Sequence, residues 1–181
     1  LKGFHYLLQA MQEILQNCPE AHIKVAGISV LGVNGIKSRI KISAYGKYLR
    51  RLILKNRLEG KVRVLGNLSA EEMKREYLSA QIFVCPSAVE NSPNSVAEGQ
   101  LLGVPVAASR TGGIPDVVKD GVSGLLFEKG NIHELAACVS RILTDKQLAK
   151  ELSASERETA AKLYNGENNY QKLIEIYQSI E

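Results

Sequence analysis

An α/β fold with a doubly wound parallel sheet is the class that this 181-residue sequence predicts. Three observations predict it. Short apolar runs alternate with segments of helical periodicity along the chain. The runs end on glycine or proline, as at Gly27, Gly66 and Pro86. No turn of the Asn-Gly type lies between paired alternating runs, so hairpins are not expected. That order requires parallel strands joined by right-handed crossovers.

Phe4, Leu7, Leu8, Met11, Ile14 and Leu15 recur at helical spacing and predict a helix over 4–17, before Pro19. Ile23 to Ala26 reads as a short strand, followed by a loop containing Gly32 and Gly35. Tyr45, Tyr48, Leu49 and Leu52 mark a second helix ending near Gly60, and Lys61 to Leu65 a second strand. Ser69 with Glu72 has capping-box spacing and opens a helix to about Ser79. Ile82 to Cys85 is a buried-type strand, 94–102 a helix stopped by Gly103, and Val104 to Ala108 the next strand. Gly112-Gly113 turns the chain, and Gly124 to Phe127 is the last strand. The stripe Ile132, Leu135, Ala136, Val139, Ile142 and Leu143 predicts a helix capped by Asn131 and Glu134. Residues 146–163 and 168–180 predict two more, the last with Tyr170, Leu173, Ile174, Tyr177 and Ile180 on one face.

Apolar residues make up 45% and charged residues 23%, which suits one globular domain over 1–181. No apolar run reaches the roughly 20 residues of a membrane span, and no signal-peptide pattern is present. Cys18, Cys85 and Cys138 are odd in number, and Cys85 and Cys138 sit in apolar stretches. Reduced thiols and a cytoplasmic location are therefore expected. The net charge is +4, densest over Lys37, Arg39, Lys41, Lys47, Arg50, Arg51 and Lys55. A solvated helix face is the simpler reading of this stretch. Peripheral contact with the inner face of a membrane stays open. No nucleic-acid motif accompanies the charge, so no nucleic-acid partner is expected. Leu1 stands where a start methionine would, and the expectation is a piece of a longer chain.

Chemistry concentrates after Cys85, in Pro86-Ser-Ala-Val-Glu90-Asn-Ser-Pro-Asn-Ser-Val-Ala-Glu98, with seven residues between the two glutamates. Sites in doubly wound sheets lie at the carboxyl ends of strands. The N–H groups of Asn94, Ser95 and Val96 begin a helix, where donors and dipole suit a phosphate. Glu98, one turn on, can accept hydrogen bonds from the two hydroxyls of a ribose, while Glu90 faces whatever the phosphates carry. Ser95 with Glu98 also has capping-box spacing, which needs no ligand, so the two readings of Glu98 stay open at this point.

With Gly103-Val-Pro-Val-Ala, Gly112-Gly113-Ile-Pro115-Asp116 and Asp120-Gly121-x-x-Gly124-Leu-Leu, this segment resembles the C-terminal domain of the GT-B glycosyltransferases of family 4, which carry an E-x7-E motif. The resemblance covers nearly the whole chain, from Lys2-Gly3 through the terminal helices. It implies one Rossmann-like half of a GT-B fold that binds a nucleoside-diphosphate sugar, with retention at the anomeric carbon. It implies that Glu90 contacts the donor hexose at the reacting centre and that Glu98 binds the ribose. It implies further that Lys2 neutralises the donor diphosphate and that Gly66, Asn67 and Leu68 line the base pocket. The acceptor glycan or lipid would be held by an N-terminal domain absent from this sequence, leaving the chain inactive alone. Three departures stand out: the arginine that usually precedes the lysine would lie upstream of Leu1, Pro93 stands where glycine is common, and Gly99 and Asp116 replace the usual alanine and glutamate.

No zinc-type spacing, Walker motif or Asp-x-Asp occurs, so neither a cofactor nor a metal is expected. The leaving phosphate would be stabilised by cations and helix-terminal amides. His5, His22 and His133 are scattered and read as surface residues. Two other classes share the ribose-binding logic: a GT-B-like nucleotide-sugar epimerase or hydrolase, and a non-catalytic nucleotide-sugar-binding module. The base, the sugar, the acceptor and the oligomeric state leave no signature.

Overall fold

The computed structural model describes residues 2–27 and 43–179. The glycines at 32 and 35, the cations at 37, 39 and 41, and Ile180 lie outside the described residues. In chain order the elements are α1 (Phe4–Asn17), β1 (Ile23–Ala26), α2 (Ala44–Lys55), β2 (Val62–Gly66), α3 (Ala70–Ser79), β3 (Phe83–Cys85) and α4 (Asn94–Leu102). They continue with β4 (Val106–Ser109), α5 (Ile114–Val117), β5 (Leu125–Phe127), α6 (Ile132–Thr144), α7 (Lys146–Leu163) and α8 (Gly166–Gln178).

All three strand pairings are parallel, β1 with β2, β3 with β4 and β4 with β5. The hydrogen-bonded ladders form two groups, β1-β2 and β3-β4-β5. Successive strand residues face opposite sides, and the core divides accordingly. Ala107, Leu125 and Phe127 join Leu8, Met11 and Ile14 of α1 and Leu135 and Val139 of α6 on one side. Val106, Ala108 and Leu126 join Val96 of α4 and Ile114 of α5 on the other. Helices thus cover both faces, as the doubly wound reading requires.

Helix starts follow local chemistry. The Ser69 hydroxyl accepts the Glu72 N–H and the Glu72 carboxylate accepts the Ser69 N–H, a complete capping box. Asn131 caps α6 by accepting the Glu134 N–H at 3.2 Å. Two helices depart from the sequence expectation. α2 stops at Lys55, ahead of Arg57 with its positive φ, so the turn precedes Gly60. The one-turn α5 follows Gly112-Gly113 where only a turn was expected. α8 forms as predicted, yet none of its described residues is buried, and Tyr170, Leu173, Ile176 and Tyr177 are exposed.

Candidate donor-binding site

The site lies where β3 delivers the chain into α4. Pro86 and Ser87 are buried directly after Cys85, which fixes the start of the loop. The Ser109 hydroxyl donates to the Ser87 carbonyl at 2.6 Å, and the Thr111 hydroxyl donates to the Ala88 carbonyl at 3.3 Å. The loop after β4 therefore braces the loop after β3. Gly112-Gly113 completes the brace: a Cβ on Gly112 would lie 1.5 Å from the Glu90 carbonyl oxygen, and one on Gly113 2.2 Å from that of Asn91. The glycine pair turns the chain and also admits the Glu90 loop at backbone contact.

Glu90 is held from several sides. Its carboxylate accepts the Ser87 hydroxyl at 3.1 Å and the Lys2 ammonium at 2.7 Å. Burial alone would raise its pKa and favour the neutral form. The Lys2 ammonium, the Ser87 hydroxyl and the Asn91 N–H outweigh that and hold the carboxyl below its ordinary value. The Glu90 side chain is 9% exposed and the Lys2 side chain 76%, so the cation is the movable partner. Gly3 makes the pairing possible. It has a φ of 69°, and a Cβ there would lie 1.6 Å from the Pro86 carbonyl oxygen. The Lys2-Gly3 pair is thus a close-approach device beside Glu90.

Glu98 is exposed on the first turns of α4. The capping-box alternative does not form, because Pro93 is the N-cap, Ser95 falls inside the helix, and no side chain caps α4. Glu98 instead lies 3.3 Å from the Tyr77 hydroxyl, which also reaches the Ser95 carbonyl at 2.9 Å. Burial, and then the Glu98 charge, push the Tyr77 phenol up. Of the three N–H groups expected to face a phosphate, that of Asn94 donates to Ser92 at 3.0 Å and that of Val96 to Pro93 at 2.9 Å. Among the described residues, Ser95 is the one of the three whose N–H has no backbone acceptor, which narrows the cradle.

A cavity of about 750 Å³ opens beside these residues, and Lys2, Glu90 and Ser95 border it. Gly66 ends β2 and Asn67 and Leu68 follow it, while Leu65 of the same strand borders the cavity. Ser87 and Tyr77 are the participants that sequence reasoning did not single out. Ser87 had one signal, its position three before Glu90 in a loop; Tyr77 had none. His133 pairs with Glu13 and His5 sits half-buried against Tyr45, while His22 borders the same cavity. No group of three or more His, Cys, Asp or Glu side chains placed to hold a metal occurs among the described residues. Nor is any described helix long and apolar enough to cross a membrane.

With this geometry in place, comparison with known proteins decides the family. The profile of the glycosyl transferases group 1 family matches residues 1–159. The chain belongs to that family. A D-inositol 3-phosphate glycosyltransferase of Corynebacterium urealyticum is 29% identical over 180 residues, covering 99% of this chain and 41% of that protein. The group 1 chain therefore spans less than half the length of that relative. Among solved structures, sucrose-phosphate synthase from Thermosynechococcus elongatus superposes with a TM-score of 0.81 at 26% identity, over 99% of this chain and 42% of that one. The Anabaena protein Alr3699/HepE in complex with UDP superposes with a TM-score of 0.82 at 24% identity, over 98% and 45%, a likeness of fold. A complex of the same Anabaena protein with UDP-glucose scores 0.79.

Proposed function

We propose that this chain is the donor-binding domain of a retaining family 4 hexosyltransferase, which moves a sugar from a nucleoside diphosphate to a glycan, lipid or other acceptor. The observation that carries the reading is the triad of Ser87, Glu90 and Lys2, in which a mostly buried carboxylate is fixed by a hydroxyl and an exposed cation. A carboxylate so held suits the hydroxyls of a hexose. The Lys2 ammonium can swing to a diphosphate while Ser87 and the Asn91 N–H retain Glu90.

Glu98 takes the ribose diol in this reading, and its freedom from capping α4 favours that role. The Ser95 N–H and the positive end of α4 face the phosphates. Gly66, Asn67 and Leu68 line the base. Transfer breaks the bond between the anomeric carbon and the β-phosphate oxygen and joins that carbon to an acceptor oxygen, whose proton leaves. Charge on the departing diphosphate is met by Lys2, by Ser95 and by cations of the rest of the protein, with no metal required. The acceptor is held by a second domain, so the 181 residues bind donor without turning it over. The group 1 membership and the UDP-bound structural neighbours support this reading.

The test is transfer by the full-length protein with the product anomer read by NMR. Retention is expected, together with a loss of kcat of about 10²-fold or more in Glu90→Gln at unchanged fold. An inverted product, or full activity in that variant, would overturn the proposal.

A further inference from the structure

The β3–β4 ladder ends at the pair Cys85–Ala108, and Pro86 has no N–H with which to extend it. The two chains nevertheless run on side by side. The Ser109 hydroxyl donates to the Ser87 carbonyl at 2.6 Å, and the Thr111 hydroxyl to the Ala88 carbonyl at 3.3 Å. The Glu90 carbonyl then packs against Gly112 and the Asn91 carbonyl against Gly113. Carbonyls of the Glu90 loop thus rest, in order, on residues 109–113. Side-chain hydroxyls and bare glycine backbone stand where a ladder would use amides.

Ser109 opens this series and is fully buried, and Ser87 is 1% exposed. The other residues of β4 are valine and alanine. A hydroxyl buried among them is unfavourable unless it is bonded, and the bond to Ser87 offsets that. Ser87 is fixed at its side chain as well. The Cys85 thiol lies 3.7 Å from Ser87 Oγ as a donor, and burial pushes the thiol up, which keeps its proton in place. Ser87 Oγ therefore accepts from Cys85 and donates its own proton to Glu90 at 3.1 Å.

Lys2 and Ser87 reach the same carboxylate oxygen of Glu90, Oε2. The Lys2 side chain is mostly exposed, so it supplies charge without fixing a direction. The orientation of the Glu90 carboxylate depends on the buried Ser87, and the place of Ser87 depends on Ser109.

We propose that Ser109 is a positioning residue for the donor hexose. By pinning the Ser87 carbonyl, it holds the Ser87 hydroxyl against Glu90 and so sets the angle at which that carboxylate meets the sugar. The inference rests on the reading of Glu90 as the hexose contact. Thr111 contributes less, since it is half-buried and its bond is longer. Ser109 acts through Ser87 alone and leaves the diphosphate and ribose contacts untouched.

Two measurements on the full-length protein test this. The first is NMR titration of Glu90 in Ser109→Ala, Ser87→Ala and the double variant. Ser109→Ala is expected to raise the Glu90 pKa, because the Ser87 hydroxyl drifts away while burial remains. In the Ser87→Ala background the same change should add nothing, since the two residues act in series. The second is calorimetric binding of UDP, GDP and ADP and of their glucose conjugates. In Ser109→Ala, affinity for the conjugate should fall roughly three- to tenfold, with affinity for the diphosphate alone unchanged. An unmoved Glu90 titration, or an equal shift in both backgrounds, would overturn the proposal. So would an affinity loss shared by diphosphate and conjugate, which is the mark of a merely structural hydroxyl. If no nucleotide binds the native protein, the donor reading fails and the hexose role with it. The Glu90 titration still decides in that case whether Ser109 sets the carboxylate.

Discussion

The Lys2 ammonium lies 2.7 Å from the Glu90 carboxylate, joining the residue ahead of Gly3 to the loop after β3. Lys2 is mostly exposed, so the pair contributes little to stability, of the order of 0–1 kcal/mol. Its consequence is the charge state and position of Glu90. Replacing Lys2 by methionine removes the strongest contact that lowers the Glu90 carboxyl, while burial remains. NMR titration of Glu90 should therefore show its pKa moving up in Lys2→Met, with a thermal midpoint close to that of the native protein. The stability carried by the lowered carboxyl is present above the ordinary carboxylate range and is lost as pH falls through the lowered value. The variant should thus lose part of the acid-side stability slope.

Gly112 cannot carry a side chain where it stands, with a φ of 53° and the Glu90 carbonyl 1.5 Å from any Cβ. Gly112→Ala should cost about 1–3 kcal/mol in urea unfolding, from a residue forced into the left-handed region plus displacement of the Glu90 loop. Donor affinity should fall alongside. An unchanged denaturation midpoint would show that the Gly112 contact is relaxed in solution.

Tyr77 braces α4 from α3. Tyr77→Phe removes the hydroxyl that meets the Ser95 carbonyl and the Glu98 carboxylate, and should cost about 0.5–1.5 kcal/mol. Nucleotide affinity should weaken less than in a variant of Glu98 itself, because in the proposed site Tyr77 touches Glu98 and not the nucleotide. Denaturation and calorimetry on the same preparation check both halves.

Glu156 of α7 is buried and accepts the Val106 N–H at 2.8 Å through one oxygen, while the other has no partner. Burial outweighs that bond and raises its pKa from 4.5 to about 8. The folded chain then holds a proton that the unfolded chain releases above 4.5. Unfolding free energy should fall as pH rises from about 4.5 to about 8 and level off above. Glu156→Gln keeps the acceptor for Val106 and should flatten that slope in urea melts at stepped pH.

Periodicity and punctuation carried most of the fold. Helices α1, α3, α4, α6 and α7 begin and end within about two residues of their sequence signals, because caps and apolar stripes are local. The division of the strands into two ladders was not legible, since pairing partners are set by distant elements. α8 shows the converse: its apolar face has the pattern of a core helix, yet it buries none of its described residues. At the site, resemblance supplied Lys2 and spacing supplied Glu90 and Glu98. The reason Lys2 meets Glu90 is a contact between Gly3 and Pro86, 83 positions apart in a chain whose local signals reach only a few residues. Spacing also left the role of Glu98 open. Pro93 takes the N-cap position and places Ser95 too deep to cap, which removes the capping-box reading and leaves the ribose role as a proposal.

The most direct measurement is calorimetric binding of UDP, GDP and ADP, with their glucose conjugates, to the full-length protein and to Glu98→Ala. The donor-site account predicts that at least one nucleotide binds the native protein. In the variant, affinity should fall about tenfold or more, equivalent to 1.4 kcal/mol, with stability changed by less than about 0.5 kcal/mol. Undiminished affinity in Glu98→Ala, or no binding of any of these ligands to the native protein, would contradict it.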